Sequence, residues 1–210
     1  MSTLLLRLAG PMQSWGTDSK FDVRRTGREP SKSGVIGLAA AAMGIRRQDK
    51  AALEPLAALR FGVRVDREGT MIRDYQTARS GKAAYVTHRY YLADAVFTAG
   101  LEGGRELLER IGRAFQAPVF PLYLGRRSCP PTGRIFLGIV DMPLEQALTA
   151  SAEGGAVRLI LDAAAGAPGG LVHDVPVSFD PLRREYAYRR VTERFLGLQN
   201  DHDPFAELEG

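Results

Sequence analysis

One cysteine, Cys129, and three histidines are all the thiol and imidazole metal ligands this 210-residue chain offers. A single cysteine excludes an intrachain disulfide framework. Cys129, His88, His173 and His202 stand too far apart in sequence to match any zinc-ligand spacing, so no metal and no cofactor is expected. The Asp201-His202-Asp203 run reads as a solvated tail. There is no Gly-x-x-x-x-Gly-Lys-Ser/Thr phosphate loop and no Gly-x-Ser-x-Gly nucleophile elbow. No apolar run approaches the roughly 20 residues needed to cross a bilayer. The apolar stretch at Leu4-Leu5-Leu6 is too short for a secretory leader and reads as a first strand. No membrane contact and a cytoplasmic location are therefore expected.

Arginine is abundant, and it is unevenly placed. Net charge is only +4. Yet windows 20–32, 69–90, 126–134 and 181–194 hold 17 Lys/Arg against 5 Asp/Glu, a net of +12, which leaves 11 against 19 elsewhere. Segregation of this kind points to a positive surface for a polyanion on an otherwise acidic body.

The periodicities predict an α+β chain. Residues 3–9 read as a buried strand closed by Gly10-Pro11. The basic stretch that follows holds a short extended piece at 21–26. Ser31 or Ser33 caps a helix running to about Met43, with Gly44 as its stop. Asp49 caps a second helix, to about Leu59. Phe61, Val63 and Val65 alternate as in a half-buried strand. Residues 71–79 and 84–93 form a hairpin around Ser80-Gly81-Lys82, too polar and aromatic for a core and so projecting. Strands at 96–101, 120–124 and 134–140 flank a helix at 105–115. Beyond about 141 the chain reads as mainly β, at 157–161, 172–179 and 184–191, with a small-residue loop at 163–170. The order strand, helix, strand, strand, helix, strand matches a ferredoxin-like (RRM-like) domain over 1–140. Residues 141–210 then form a small β-rich C-terminal extension.

Candidate binding residues follow from RNA chemistry: cations meet phosphates, and aromatic planes stack on unpaired bases. Gln13, Ser14 and Trp15 combine an amide, a hydroxyl and the only tryptophan, which serves either as a stacking plane or as a core plug. Arg24, Arg25 and Arg28 precede the helix start at Lys32 and Ser33, where free N–H groups favour a phosphate. Arg126, Arg127 and Ser128 follow Gly125 and precede a double proline that stiffens the loop. Arg73, Tyr75, Gln76, His88 and Arg89 sit on the hairpin. Arg183, Arg184, Arg189, Arg190 and Arg194 form a further group that strand alternation would divide between two faces. His88 with Tyr75, Lys82 or Arg89 offers an acid–base set for metal-free RNA cleavage. The alternative is that these residues only contact RNA or a partner. A protein-only assembly subunit is a third reading.

Four ordered segments carry a resemblance: Leu-Arg-Leu-Ala-Gly-Pro-Met-Gln-Ser-Trp-Gly (6–16), Arg-Arg-Thr-Gly-Arg-Glu-Pro-Ser-Lys-Ser-Gly-Val-Ile-Gly-Leu (24–38), Thr-His-Arg-Tyr-Tyr-Leu-Ala-Asp-Ala (87–95) and Tyr-Leu-Gly-Arg-Arg-Ser-Cys-Pro-Pro (123–131). Together they resemble the CasD family of subunits of the type I-E CRISPR Cascade complex, within the RAMP superfamily. The resemblance implies a ferredoxin-like domain whose hairpin at about 70–92 is a thumb folding over RNA. It implies a non-catalytic, RNA-binding role in antiviral defence, holding the 5′ handle of the CRISPR RNA and capping a protein filament. Its implied neighbours are a backbone (CasC-type) subunit and a large (CasA-type) subunit, with target DNA met only through the complex. Relatives in another CRISPR subtype process repeat RNA, which keeps the endoribonuclease alternative open.

Overall fold

In a computed structural model, residues 1–16, 19–20, 23–80, 83–150, 157–164 and 166–197 are described. The turn residues Gly81 and Lys82, Phe21 and Asp22 of the extended piece, and the 201–203 run lie outside them.

Strand β1 (Ser2–Ala9) is followed by three two-residue strands, β2 (Met12–Gln13), β3 (Ser19–Lys20) and β4 (Val23–Arg24). Helix α1 (Lys32–Ala42) starts where the Ser31 hydroxyl accepts from Gly34 N, and it stops at Gly44, whose φ of +75° suits a residue without a Cβ. Helix α2 (Lys50–Ala57) is capped by Asp49. Strand β5 (Arg60–Arg67), the hairpin β6 (Thr70–Ser80) and β7 (Ala83–Ala93), strand β8 (Val96–Gly103) and helix α3 (Arg105–Gln116) come next. Strand β9 (Phe136–Val140), helix α4 (Leu144–Ala150) and strands β10 (Val157–Asp162), β11 (Gly170–Ser178) and β12 (Glu185–Leu196) complete the described chain.

The main sheet runs β11-β12-β10-β5-β8-β1-β9, with every neighbouring pair antiparallel. Strict alternation sets its two faces. Leu4, Leu6 and Leu8 of β1, with Phe61, Val63, Phe97, Ala99 and Leu101, pack under α1, α2 and α3. Leu5, Leu159 and Leu161 face the other way, onto Leu144, Ala147 and Leu148 of α4. Burying each of these leucine, valine and phenylalanine side chains gains about 1.5–3 kcal/mol of favourable transfer from water. The hairpin β6–β7 is inserted between the paired strands β5 and β8 and belongs to a second sheet. There β7 also pairs with β2 and, in parallel, with β4.

Two expectations are corrected. Residues 120–124 do not form a strand. The amides of Val119 and Phe120 instead donate to Ala42 O (3.0 Å) and Ala41 O (3.2 Å), so the segment satisfies the last carbonyls of α1. The chain beyond 141 opens with a helix, α4, that the sequence reading lacked. Its docking comes from the sheet: Glu102 accepts from Leu144 N (2.6 Å), and Arg64 donates to Leu148 O (2.5 Å).

Candidate nucleic-acid interface

Two adjoining concavities, of about 710 and 260 Å³, open beside the first turns of α1 and share Ser33, Gly34, Gly125, Phe179, Arg184 and Tyr186. The larger is walled by Gly37, Ala41, Phe120 and Pro121, and Arg46, Arg47, Arg127 and Arg184 line it as well. Arg126 lines the smaller. No carboxylate lines either concavity among the described residues, and none of Arg46, Arg47, Arg127 or Arg184 has an ion-pair partner there. A groove so lined carries a positive field.

The 125–128 loop is fixed by its backbone. Gly125 has φ of +92°, and a Cβ there would fall 1.7 Å from Ser14 O, so only glycine fits. Ser14 N donates to Leu124 O (3.0 Å), and Leu124 N donates to Cys129 O (2.7 Å). Arg126 turns its guanidinium to the protein's own main chain. Its guanidinium donates to Tyr90 O (3.1 Å), Arg24 O (2.7 Å) and Arg25 O (3.2 Å) and lies 4.8 Å from the centre of the Tyr91 ring. It is a positioning residue, holding the 24–25 segment against β7 and leaving the side chains of Arg24, Arg25 and Arg127 exposed. Ser128 is exposed, and its hydroxyl donates to Tyr91 Oη (3.4 Å). Burial pushes the Cys129 thiol up, despite the Ser128 hydroxyl beside it, and keeps it inert.

Four sequence candidates turn out to be buried in the fold. Gln13 is 0% exposed; its amide donates to Leu8 O (3.1 Å) and Ala95 O (2.8 Å), and its Oε1 accepts from Trp15 Nε1 (3.0 Å). Trp15, 2% exposed, packs against Gly34 as a core plug rather than as a stacking plane. Lys32 is buried, with its Nζ 3.2 Å from Asp162. Ser14 is buried too, on the floor of the smaller concavity.

The phosphate expected at the start of α1 is replaced by an internal anion. Lys32 N donates to Asp174 Oδ2 (2.7 Å), and Gly34 N donates to Ser31 Oγ (3.2 Å). Asp174 also accepts from Arg189 Nε (2.6 Å), whose Nη1 reaches Asp162 (2.7 Å). Burial pulls the Arg189 pKa down, but the hydrogen bonds and charge of Asp174 and Asp162 outweigh it, and the guanidinium stands above its ordinary value. The helix N-terminus is thus already neutralised. Ser33 remains half-buried on the wall shared by both concavities, 3.3 Å from Ser31 Oγ.

The hairpin candidates do assemble. Tyr75 pairs across strands with His88, Asp74 with Arg89, and Arg73 with Tyr90. The Tyr75 and His88 rings meet edge-on at 5.9 Å. Gln76 donates to Asp74 (2.7 Å). Strand β4 brings Val23 beside His88 and Arg24 beside Arg89. His88 Nδ1 and Arg89 Nε are buried without a hydrogen-bond partner among the described residues. Arg73 and Tyr75 are exposed, as is Arg28. Among the described residues, no group of three or more His, Cys, Asp or Glu is placed to hold a cation.

Arg46 and Arg47 were not among the candidates read from the sequence, and Arg184 stood there only in a group that strand alternation would divide between two faces. A signal was present for the first two: like Arg126-Arg127, they are a basic pair just beyond a glycine in the left-handed region.

A family model described as "CRISPR-associated protein (Cas_Cas5)" matches residues 3–192. The chain belongs to this Cas5 family. It is 39% identical over 158 residues to the CRISPR system Cascade subunit CasD of Escherichia coli (strain K12), covering 65% of this chain and 70% of that one. A solved structure described as "Crystal structure of Cas protein" superposes with a TM-score of 0.75 at 45% identity, over 93% of this chain and 95% of that chain. A chain of a "CRISPR RNA-guided surveillance complex" superposes with a TM-score of 0.79 at 36% identity, over 92% and 89%. The segments matched by the family model include α1, the hairpin and the 125–128 loop.

Proposed function

We propose that this Cas5-family chain is a non-catalytic, RNA-binding subunit of a Cascade-type CRISPR surveillance complex. In this reading it holds the 5′ handle of the CRISPR RNA and caps the backbone filament, in the cytoplasm and in antiviral defence. The observation that carries the reading is the groove: four arginines without ion-pair partners among the described residues, and no carboxylate lining it there. Such a surface favours a sugar–phosphate backbone over a protein, whose surfaces usually bring both signs of charge. Its relatives' descriptions, a Cascade subunit and an RNA-guided complex, support the same ligand.

Within the proposal, residues 1–140 are a ferredoxin-like unit. Support comes from the strand order β5-β8-β1-β9 with α1 and α3 on one face. The hairpin at 70–92 is the thumb, and 141–210 is an extension joined through the pairing of β10 with β5. Arg24, Arg25, Arg28, Arg73, Tyr75, Gln76, His88, Arg89, Arg127 and Ser128 contact RNA or line its path. Arg126 holds the path in shape, and Gln13, Ser14, Trp15, Lys32 and Ser33 build the wall behind it. The neighbours are the CasC-type backbone subunit and the CasA-type large subunit, and target DNA is engaged through the complex.

Crosslink mapping from handle nucleotides within the assembled complex tests this. Adducts are expected on peptides containing Arg24–Arg28, Arg46–Arg47 and Arg127. Handle adducts confined to other subunits would sink the proposal. The non-catalytic half has its own test, incubation of the pure chain with repeat RNA and EDTA. RNA is expected to stay intact; a unique cut that is lost in His88→Ala would establish the endoribonuclease instead.

A further inference from the structure

An exposed aromatic cluster stands at the edge of the arginine groove. His173 of β11 and Tyr188 of β12 are cross-strand partners, and their rings stack at 4.4 Å with 26° between planes. Tyr186 meets His173 edge-on at 6.1 Å, and its carbonyl lies 3.0 Å from His173 Nε2. Tyr188 is 66% exposed, although burying an aromatic ring is among the larger gains open to a folding chain. Tyr186 is also part of the wall of both concavities beside Arg184. The aromatic series therefore begins inside the groove and leads out of it.

Charge continues along the same path. Arg184 stands at the groove end, and Arg190 follows two residues beyond Tyr188 and donates a hydrogen bond to Gly169 O (3.2 Å). Neither has an ion-pair partner among the described residues. The nearest carboxylate in sequence, Glu185, alternates to the other face and lies 3.9 Å from Arg183. Stacked aromatic planes between unpaired arginines form a surface for unpaired nucleobases, because every base has a π-face and its phosphates meet the cations.

We propose that Tyr186, His173 and Tyr188 are a base-stacking platform that takes single-stranded nucleotides leaving the arginine groove. This inference rests on the RNA-binding reading above and adds a site to it. A protein partner is the competing occupant. The continuity with a carboxylate-free groove and the flanking arginines favour RNA.

The test compares the full-length wild-type chain with Tyr188→Ala, Tyr188→Phe and Arg127→Ala. Each is titrated with an unstructured oligoribonucleotide and with its abasic counterpart. Tyr188→Ala is expected to weaken binding of the base-bearing strand roughly tenfold. It should leave the abasic strand and the salt dependence unchanged, and Tyr188→Phe should restore affinity. Arg127→Ala should weaken both strands alike. Equal affinity of Tyr188→Ala and wild type, with Arg127→Ala still weakened, overturns the platform alone. Loss of subunit co-assembly in Tyr188→Ala at undiminished RNA affinity overturns it in favour of a protein contact. If the wild-type chain binds neither strand, alone or assembled, the RNA reading falls and the platform with it.

Discussion

Arg126 gives its guanidinium to three main-chain carbonyls and to the Tyr91 ring, whereas Arg127, one residue on, has no ion-pair partner among the described residues. Substitution should separate the two. Arg126→Ala removes charge-assisted hydrogen bonds and is expected to cost about 2 kcal/mol in denaturant unfolding. Arg127→Ala should stay within about 0.5 kcal/mol of wild type while weakening RNA binding. Asp174 is a third kind of residue. It anchors Lys32 N and Arg189 together, so Asp174→Ala leaves the helix start without its anion and the buried Arg189 guanidinium with Asp162 alone. About 3–5 kcal/mol of destabilisation is expected, read as a drop in Tm. A smaller loss than for Arg126→Ala would mean that water replaces the carboxylate.

Among the elements, the hairpin β6–β7 is the most separable. Among the described residues β6 pairs only with β7, and most of its side chains are exposed. Only the base of β7 enters the core, through Tyr91 and Leu92. Replacing residues 76–86 by a short turn should leave Tm within a few degrees of wild type and still abolish tight RNA retention. Collapse of the fold would show the hairpin to be structural. Both hairpin strands were legible as extended runs on either side of Ser80-Gly81-Lys82, and α1 from its Ser31 cap and Gly44 stop, because those signals are local. Helix α4 was not. It has seven residues, and its ends are held by Glu102 and Arg64 from strands far away in sequence. Residues 120–124 alternate like a strand, yet the adjoining Val119 and Phe120 amides are taken by the last turn of α1. The site divides in the same way. Arginine clustering is visible in one dimension, but the carboxylates that engage Lys32 and Arg189 are not.

At the scale of the whole molecule, a net charge of +4 understates the field at the groove. Four arginines there without ion-pair partners among the described residues, each meeting one phosphate of a single strand, predict a slope of log affinity against log salt of about −3. Each Arg→Ala substitution in the groove should make it shallower by about 0.7. A slope near zero would point to a protein partner instead. The ion cluster of Lys32, Asp162, Asp174 and Arg189 joins β10, β11 and β12 to the first turn of α1. It has a practical consequence for anyone dissecting the chain. A fragment ending near residue 140 would lose both carboxylates, baring Lys32 and the amides behind it. Such a fragment should capture nucleic acid, heparin or sulfate indiscriminately through a surface the intact protein never displays. Deletion mapping would then report an artefact of cutting, and only point substitutions in the full-length chain can locate the true contacts.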